Sequence, residues 1–140
     1  MIYKTDDKIR LLIESFESCT VTAKEWTHAA HLTAALWYSL HEPDFETATA
    51  KMRDGIFKLN ATHGTPNTPE RGYHETLTVF WMHTVADFLV NIKDKNSLTR
   101  LANELIETCS DSGLPLKFYS RDCLFSPAAR AEYVEPDLKR

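Results

Sequence analysis

The stretch "EWTHAAHLTAALWYSL", residues 25–40, is uncharged from Trp26 to Leu40, with no Asp, Glu, Lys or Arg, yet carries His28 and His31 three apart. A solvated helix face of this length recruits charged side chains, which favour both solubility and helix formation. Their absence predicts a helix buried on most sides, the element around which the rest of the chain packs. At about 100° per residue, Trp26, Ala29, Ala30, Leu32, Leu36, Trp37 and Leu40 cover most of its circumference. Thr27, His28, His31, Tyr38 and Ser39 fall within a wedge of about 120°, with the small Ala35 at its middle. That wedge is either a solvent face without charges or a set of polar groups around a gap, and buried imidazoles need partners.

Turn and cap residues divide the flanking sequence into further helices. "TDDKIRLLIESFESC" places Ile9, Leu12, Ile13 and Phe16 on one face, with Asp6 and Asp7 in the first turn where the helix dipole favours them. Thr22 and Glu25 form a capping-box pattern, which predicts that the second helix starts at Thr22 and ends near "HEPD". A third helix is expected over residues 44–63. A fourth is expected to open at Thr68–Pro69 and run to about Ile92 along a seam that includes Leu77, Trp81 and Phe88. Residues 97–109 give a fifth. A short helix from Ser126 and an extended tail complete the chain. No alternating pattern of strands, no repeat and no linker interrupts the 140 residues. The expectation is an all-α single domain, residues 1–140, built as a bundle of four main helices with additional short C-terminal helices.

A chain of this length buries roughly two thirds of the surface its unfolded form exposes, so one core suffices. Apolar content of 43% and charged content of 26% are those of an ordinary globular protein. The net charge of −4 with scattered Lys and Arg gives no basic stripe for nucleic acid. The start "MIYKTDDKIR" carries no apolar leader and no stretch reaches membrane-span length, which predicts a cytoplasmic protein without a membrane partner. Cys19, Cys109 and Cys123 are three, widely spaced, and read as reduced thiols. No P-loop, G-x-S-x-G or dinucleotide fingerprint is present.

On the fourth helix His74 lies within about 60° of the seam centre and should point inward, whereas His83 points away and Glu75 projects about 150° from it. Inward histidines from two helices are the ingredients of a metal site in a helical core. His28, His31 and His74 are the candidate ligands for a divalent transition metal, whether zinc, iron, nickel or copper. Glu75 would be a fourth ligand or general base, and Arg121 or Arg71 would orient an anionic substrate. Glu25 and His28 make one Glu-x-x-His pair, but no second one exists to complete a dinuclear carboxylate site. His41 and His63, at predicted helix C-termini, read as local structure.

"EWTHAAHL", "GYHET" and the later "LFSPAAR" together resemble an uncharacterised family of small bacterial all-α proteins that share H-x-x-H-L and Y-H-E-T segments, over roughly residues 20–137. The resemblance brings no activity with it, but implies that His28, His31, His74, Glu75 and Arg130 belong to one unit. In architecture alone the chain also resembles the DinB-like bundles, which hold a metal by three histidines. Three functions stay open: a small metal-dependent enzyme acting on a small, anionic organic molecule; a metal-free helical pocket for a small organic ligand; and a structural or partner-binding module. The sequence leaves oligomeric state undefined.

Overall fold

The computed structural model describes residues 2–138. All regular structure among them is helical: α1 (Asp6–Glu17), α2 (His28–His41), α3 (Phe45–Thr62), α4 (Glu75–Asn91), α5 (Leu98–Thr108), a 3-10 turn (Leu114–Lys117), α6 (Arg121–Leu124) and α7 (Pro127–Ala131). Among the described residues no helix is long and apolar enough to cross a membrane.

The uncharged helix is the axis of the packing. α2 touches α1, α3, α4 and α5, and seven of its 14 residues are buried, a larger share than in any other long helix. Leu32 and Leu36 are fully enclosed with Phe16, Leu59, Leu101 and Leu105 from the surrounding helices. Each such side chain contributes about 1.5–3 kcal/mol relative to exposure. A charge at any of the buried positions Ala30, Leu32, Thr33, Ala34, Ala35, Leu36 or Tyr38 would have to be desolvated against one of these neighbours.

Two helix starts differ from expectation, each because a later cap captures the chain. The Thr22–Glu25 box does form: Glu25 N donates to Thr22 Oγ1 at 3.2 Å, and Thr22 N to Glu25 Oε1 at 3.0 Å. It closes a single turn, and α2 begins only at His28, where Thr27 Oγ1 accepts from Ala30 N. The interruption swings Trp26 onto Phe16, ring centroids 4.6 Å apart. Thr68 and Pro69 do not open α4 either. They are the first two positions of a tight turn closed by paired Thr68 and Arg71 backbone bonds, where proline's fixed φ is equally welcome. Gly72 follows at φ 86°, its α carbon so close to Pro66 O and Asn67 that a Cβ would collide with them. The helix then starts at Glu75 with His74 as its cap.

Residues 129–134 fasten the N-terminus of α4. Thr76 Oγ1 lies 2.6 Å from Ala129 O, and Val134 N donates to Thr76 Oγ1 at 3.1 Å. Arg130 Nη1 donates to Gly72 O at 2.9 Å.

Gly55, inside α3, lies against Phe16: a Cβ built there would stand 2.2 Å from the buried ring. An exposed helical Gly gains about 0.5–1 kcal/mol on replacement by Ala, but here overpacking reverses the sign. We expect Gly55→Ala to lose about 1–3 kcal/mol in urea unfolding; unchanged or increased stability would show that α3 does not press on Phe16.

Candidate functional site

α2, α3 and the first turns of α4 each send residues at i, i+3 or i+4 spacing toward a common space. His28, His31 and Ala35 come from α2, and Met52, Ile56 and Asn60 from α3. His74, Leu77, Thr78 and Trp81 come from α4 and its cap. With Trp26, Gly72, Tyr73, Met82 and Ser112 they line a cavity of ≈ 450 Å³. No Asp, Glu, Lys, Arg or Cys side chain contributes to that lining. The three expected histidines thus share one cavity, and Ala35, at the middle of the wedge, does lie on it. Tyr38 departs from the wedge: it is buried toward α1, its hydroxyl donating to Glu17 Oε2 at 2.7 Å.

Backbone carbonyls fix the protonation pattern of the rings. A carbonyl can only accept, so the nitrogen beside it carries the hydrogen. His28 Nε2–H donates to Cys109 O at 2.8 Å, and His31 Nδ1–H to Thr27 O at 3.0 Å. His74 Nε2–H donates to Leu124 O at 2.6 Å, while its Nδ1 accepts from Leu77 N at 3.1 Å. His74 is therefore saturated: one nitrogen caps α4 and the other ties it to α6, so no lone pair is left for a ligand. His28 and His31 each keep one ring nitrogen without a protein partner. The three rings share a space but lack the donor set of a three-histidine centre, and among the described residues no group of three or more His, Cys, Asp or Glu is arranged to hold a metal ion.

The proposed acid and the arginines lie elsewhere. Glu75 faces a second recess, of ≈ 510 Å³, that also takes in Arg53, Arg130 and Tyr133. Arg53 grips Glu75 with two bonds of 2.9 and 2.7 Å, and the Tyr73 hydroxyl donates to it at 2.5 Å. Burial pushes this carboxyl up, but the bonds from Arg53 and Tyr73 outweigh it and hold Glu75 below the usual range. The outward projection expected for Glu75 is met, because Arg53 of α3 covers that side. Tyr73 lines both recesses and stands between Glu75 and the histidines. Arg121 is exposed, its guanidinium 5.4 Å from the centre of the Phe125 ring, and Arg71 is exposed in the turn before Gly72. Glu25 is held by Thr22 rather than His28. His41 donates to Trp37 O, the local role expected of it, whereas His63 donates to Val21 O, 42 residues away, and ties the end of α3 to the loop before α2.

Trp26, Trp81, Met52, Ile56 and Asn60 were not among the candidate residues. The 52–56–60 spacing was visible, but nothing in it distinguished a cavity wall from a core stripe.

His31 keeps some accessible surface on the cavity side, yet its ring lies 4.1 Å from that of Trp26. Burial drives its pKa down to about 4, against the opposing bond to Thr27 O, and nearby His28 adds to the fall. Burial also lowers His74. Compared with family models, with curated proteins and with solved structures, the chain matches none.

The depressed value makes a definite pH dependence. Between about 4 and the ordinary 6.5 the unfolded chain binds a proton at His31 that the native state refuses, so stability falls as pH drops through that window. Unfolding in urea at pH 7, 6 and 5 should show His31→Phe losing less stability with acidification than the natural chain, by on the order of 1 kcal/mol per pH unit. Parallel pH profiles would mean that His31 titrates normally.

Proposed function

We propose that this chain is a small-molecule-binding protein: one helical domain, its helices bundled around α2, that takes a small uncharged organic ligand into the cavity between α2, α3 and the start of α4. The observation that carries this reading is an aromatic and aliphatic cavity of ≈ 450 Å³ with imidazole edges and no charged side chain on its wall. Such a volume and lining are those of small-molecule sites, in which a few polar groups orient a ligand held mainly by apolar contact.

Binding is favoured over catalysis for two reasons. A base with a pKa of about 4 is matched to acidic conditions and has little driving force to take a proton near pH 7. The carboxylate and guanidinium groups that could share the chemistry are bonded to each other on the far side of Tyr73, or exposed at the surface. A metal held by all three rings would need His74 Nδ1 to give up its cap on Leu77 N.

Thermal melts separate these readings. Uncharged aromatic fragments such as indole should raise the melting temperature of the natural chain in proportion to the logarithm of their concentration, by the mass-action relation for a native-state ligand. Replacement of Ala35, which faces the cavity from α2, by Met should fill part of the space and abolish that rise. Zinc, nickel or a chelator should leave the melt where it was. A rise produced by metal and lost in His31→Ala would instead establish the metal centre.

A further inference from the structure

The cavity's own hydrogen-bonding edges specify the ligand further, on the premise that it is a ligand site. The nitrogens that His28 and His31 turn away from their carbonyl partners, Nδ1 and Nε2 respectively, have no protein partner and are not sealed from solvent. In the neutral ring each is a pure acceptor. The two stand on the same face of α2, one turn apart, and both rings line the cavity. Asn60 gives one amide hydrogen to Asn67 Oδ1 at 3.0 Å and keeps the other, while its own Oδ1 is an unpartnered acceptor; Ser112, Trp26 and Trp81 bring further donors to the wall. The hydroxyls of Tyr73 and Thr78 are already donated, to Glu75 and to His74 O.

We infer that the ligand is a neutral, flat, ring-containing molecule with at least one N–H or O–H donor, which it gives to the imidazole of His31 or His28. A ligand without a donor would bury these lone pairs unpaired, at the cost that makes donor-reading sites discriminate most strongly against analogues lacking the group. A carboxylate would meet the same lone pairs with its own and find no cation on the wall. An ammonium would be desolvated with no carboxylate to face it, because Glu75 is spent on Arg53 behind Tyr73. A flat ring suits this wall, where the indole of Trp81 meets His28 edge-on at 4.7 Å and Met52 and Ile56 of α3 add aliphatic surface.

Matched probes test this. Indole against 1-methylindole, and phenol against anisole, differ by one methyl that deletes the donor and keeps the ring. Isothermal titration or tryptophan fluorescence at pH 7 should give indole and phenol at least about tenfold tighter than their methylated partners, with benzoate and benzylamine weaker than either. His31→Phe should collapse the ratio toward one, while His31→Gln, which keeps a side-chain acceptor, should retain most of it. The natural chain with its paired probes already decides if His31→Phe fails to fold. Equal affinities within each pair, or a tighter benzoate or benzylamine, would overturn the donor rule while leaving the cavity a ligand site. Failure of every probe, charged or not, to bind the natural chain would remove the ligand site and this inference together.

Discussion

Placing neutral imidazoles among apolar helices requires a hydrogen-bond partner for every ring N–H, and this fold supplies a backbone carbonyl each time. Cys109 O serves His28, Thr27 O serves His31, and Leu124 O serves His74. The carbonyls of Cys109 and Leu124 are available because helices α5 and α6 end there, whereas Thr27 O, at the N-cap of α2, accepts from His31 N and takes the ring Nδ1–H as a second bond. The helix boundaries and the ring tautomers are therefore one arrangement. Moving a boundary by one turn would strand an N–H in a dry wall.

The same constraint separates a structural histidine from the two that face the cavity. His74 uses both nitrogens on the protein and, with Thr76 and Arg130, locks the start of α4 against the C-terminal segment. Replacing it would free a helix cap and a long-range tie at once. His28 and His31 use only the N–H and leave the lone pair to the cavity. Low polarity then acts on the open pair, keeping His31 uncharged over the physiological range and its acceptor intact.

Much of this was legible in the residues. The charge-free run from Trp26 to Leu40 marked the central helix, and the spacing of His28 and His31 put both on one face of it, whereas His74, expected on an inward seam centred on Leu77, Trp81 and Phe88, reaches the cavity as the extended N-cap of a helix whose buried face is Thr76, Thr78, Val79, Met82 and Val85. What the sequence could not display was which nitrogen each ring would spend, because the carbonyl partners of His28 and His74 are 81 and 50 residues away. Local cap signals misled at two helix starts for a related reason. Thr22–Glu25 and Thr68–Pro69 are good short-range motifs, but the stacking of Trp26 on Phe16 and the positive φ of Gly72 decided where a helix continues. Glu75 was placed correctly as pointing away from the seam, yet its partner Arg53, 22 residues upstream on α3, was not visible in any pattern.

The open acceptors of the cavity depend on the ring tautomers, and long-range ¹H–¹⁵N correlation of the histidine rings reads them directly. At pH 7 it should show His28 and His74 protonated on Nε2 and His31 on Nδ1, with His31 neutral and unmoved on titration to pH 6. An imidazolium signal for His31 in that range, or a hydrogen on its Nε2, would contradict the assignment of an open acceptor to the cavity.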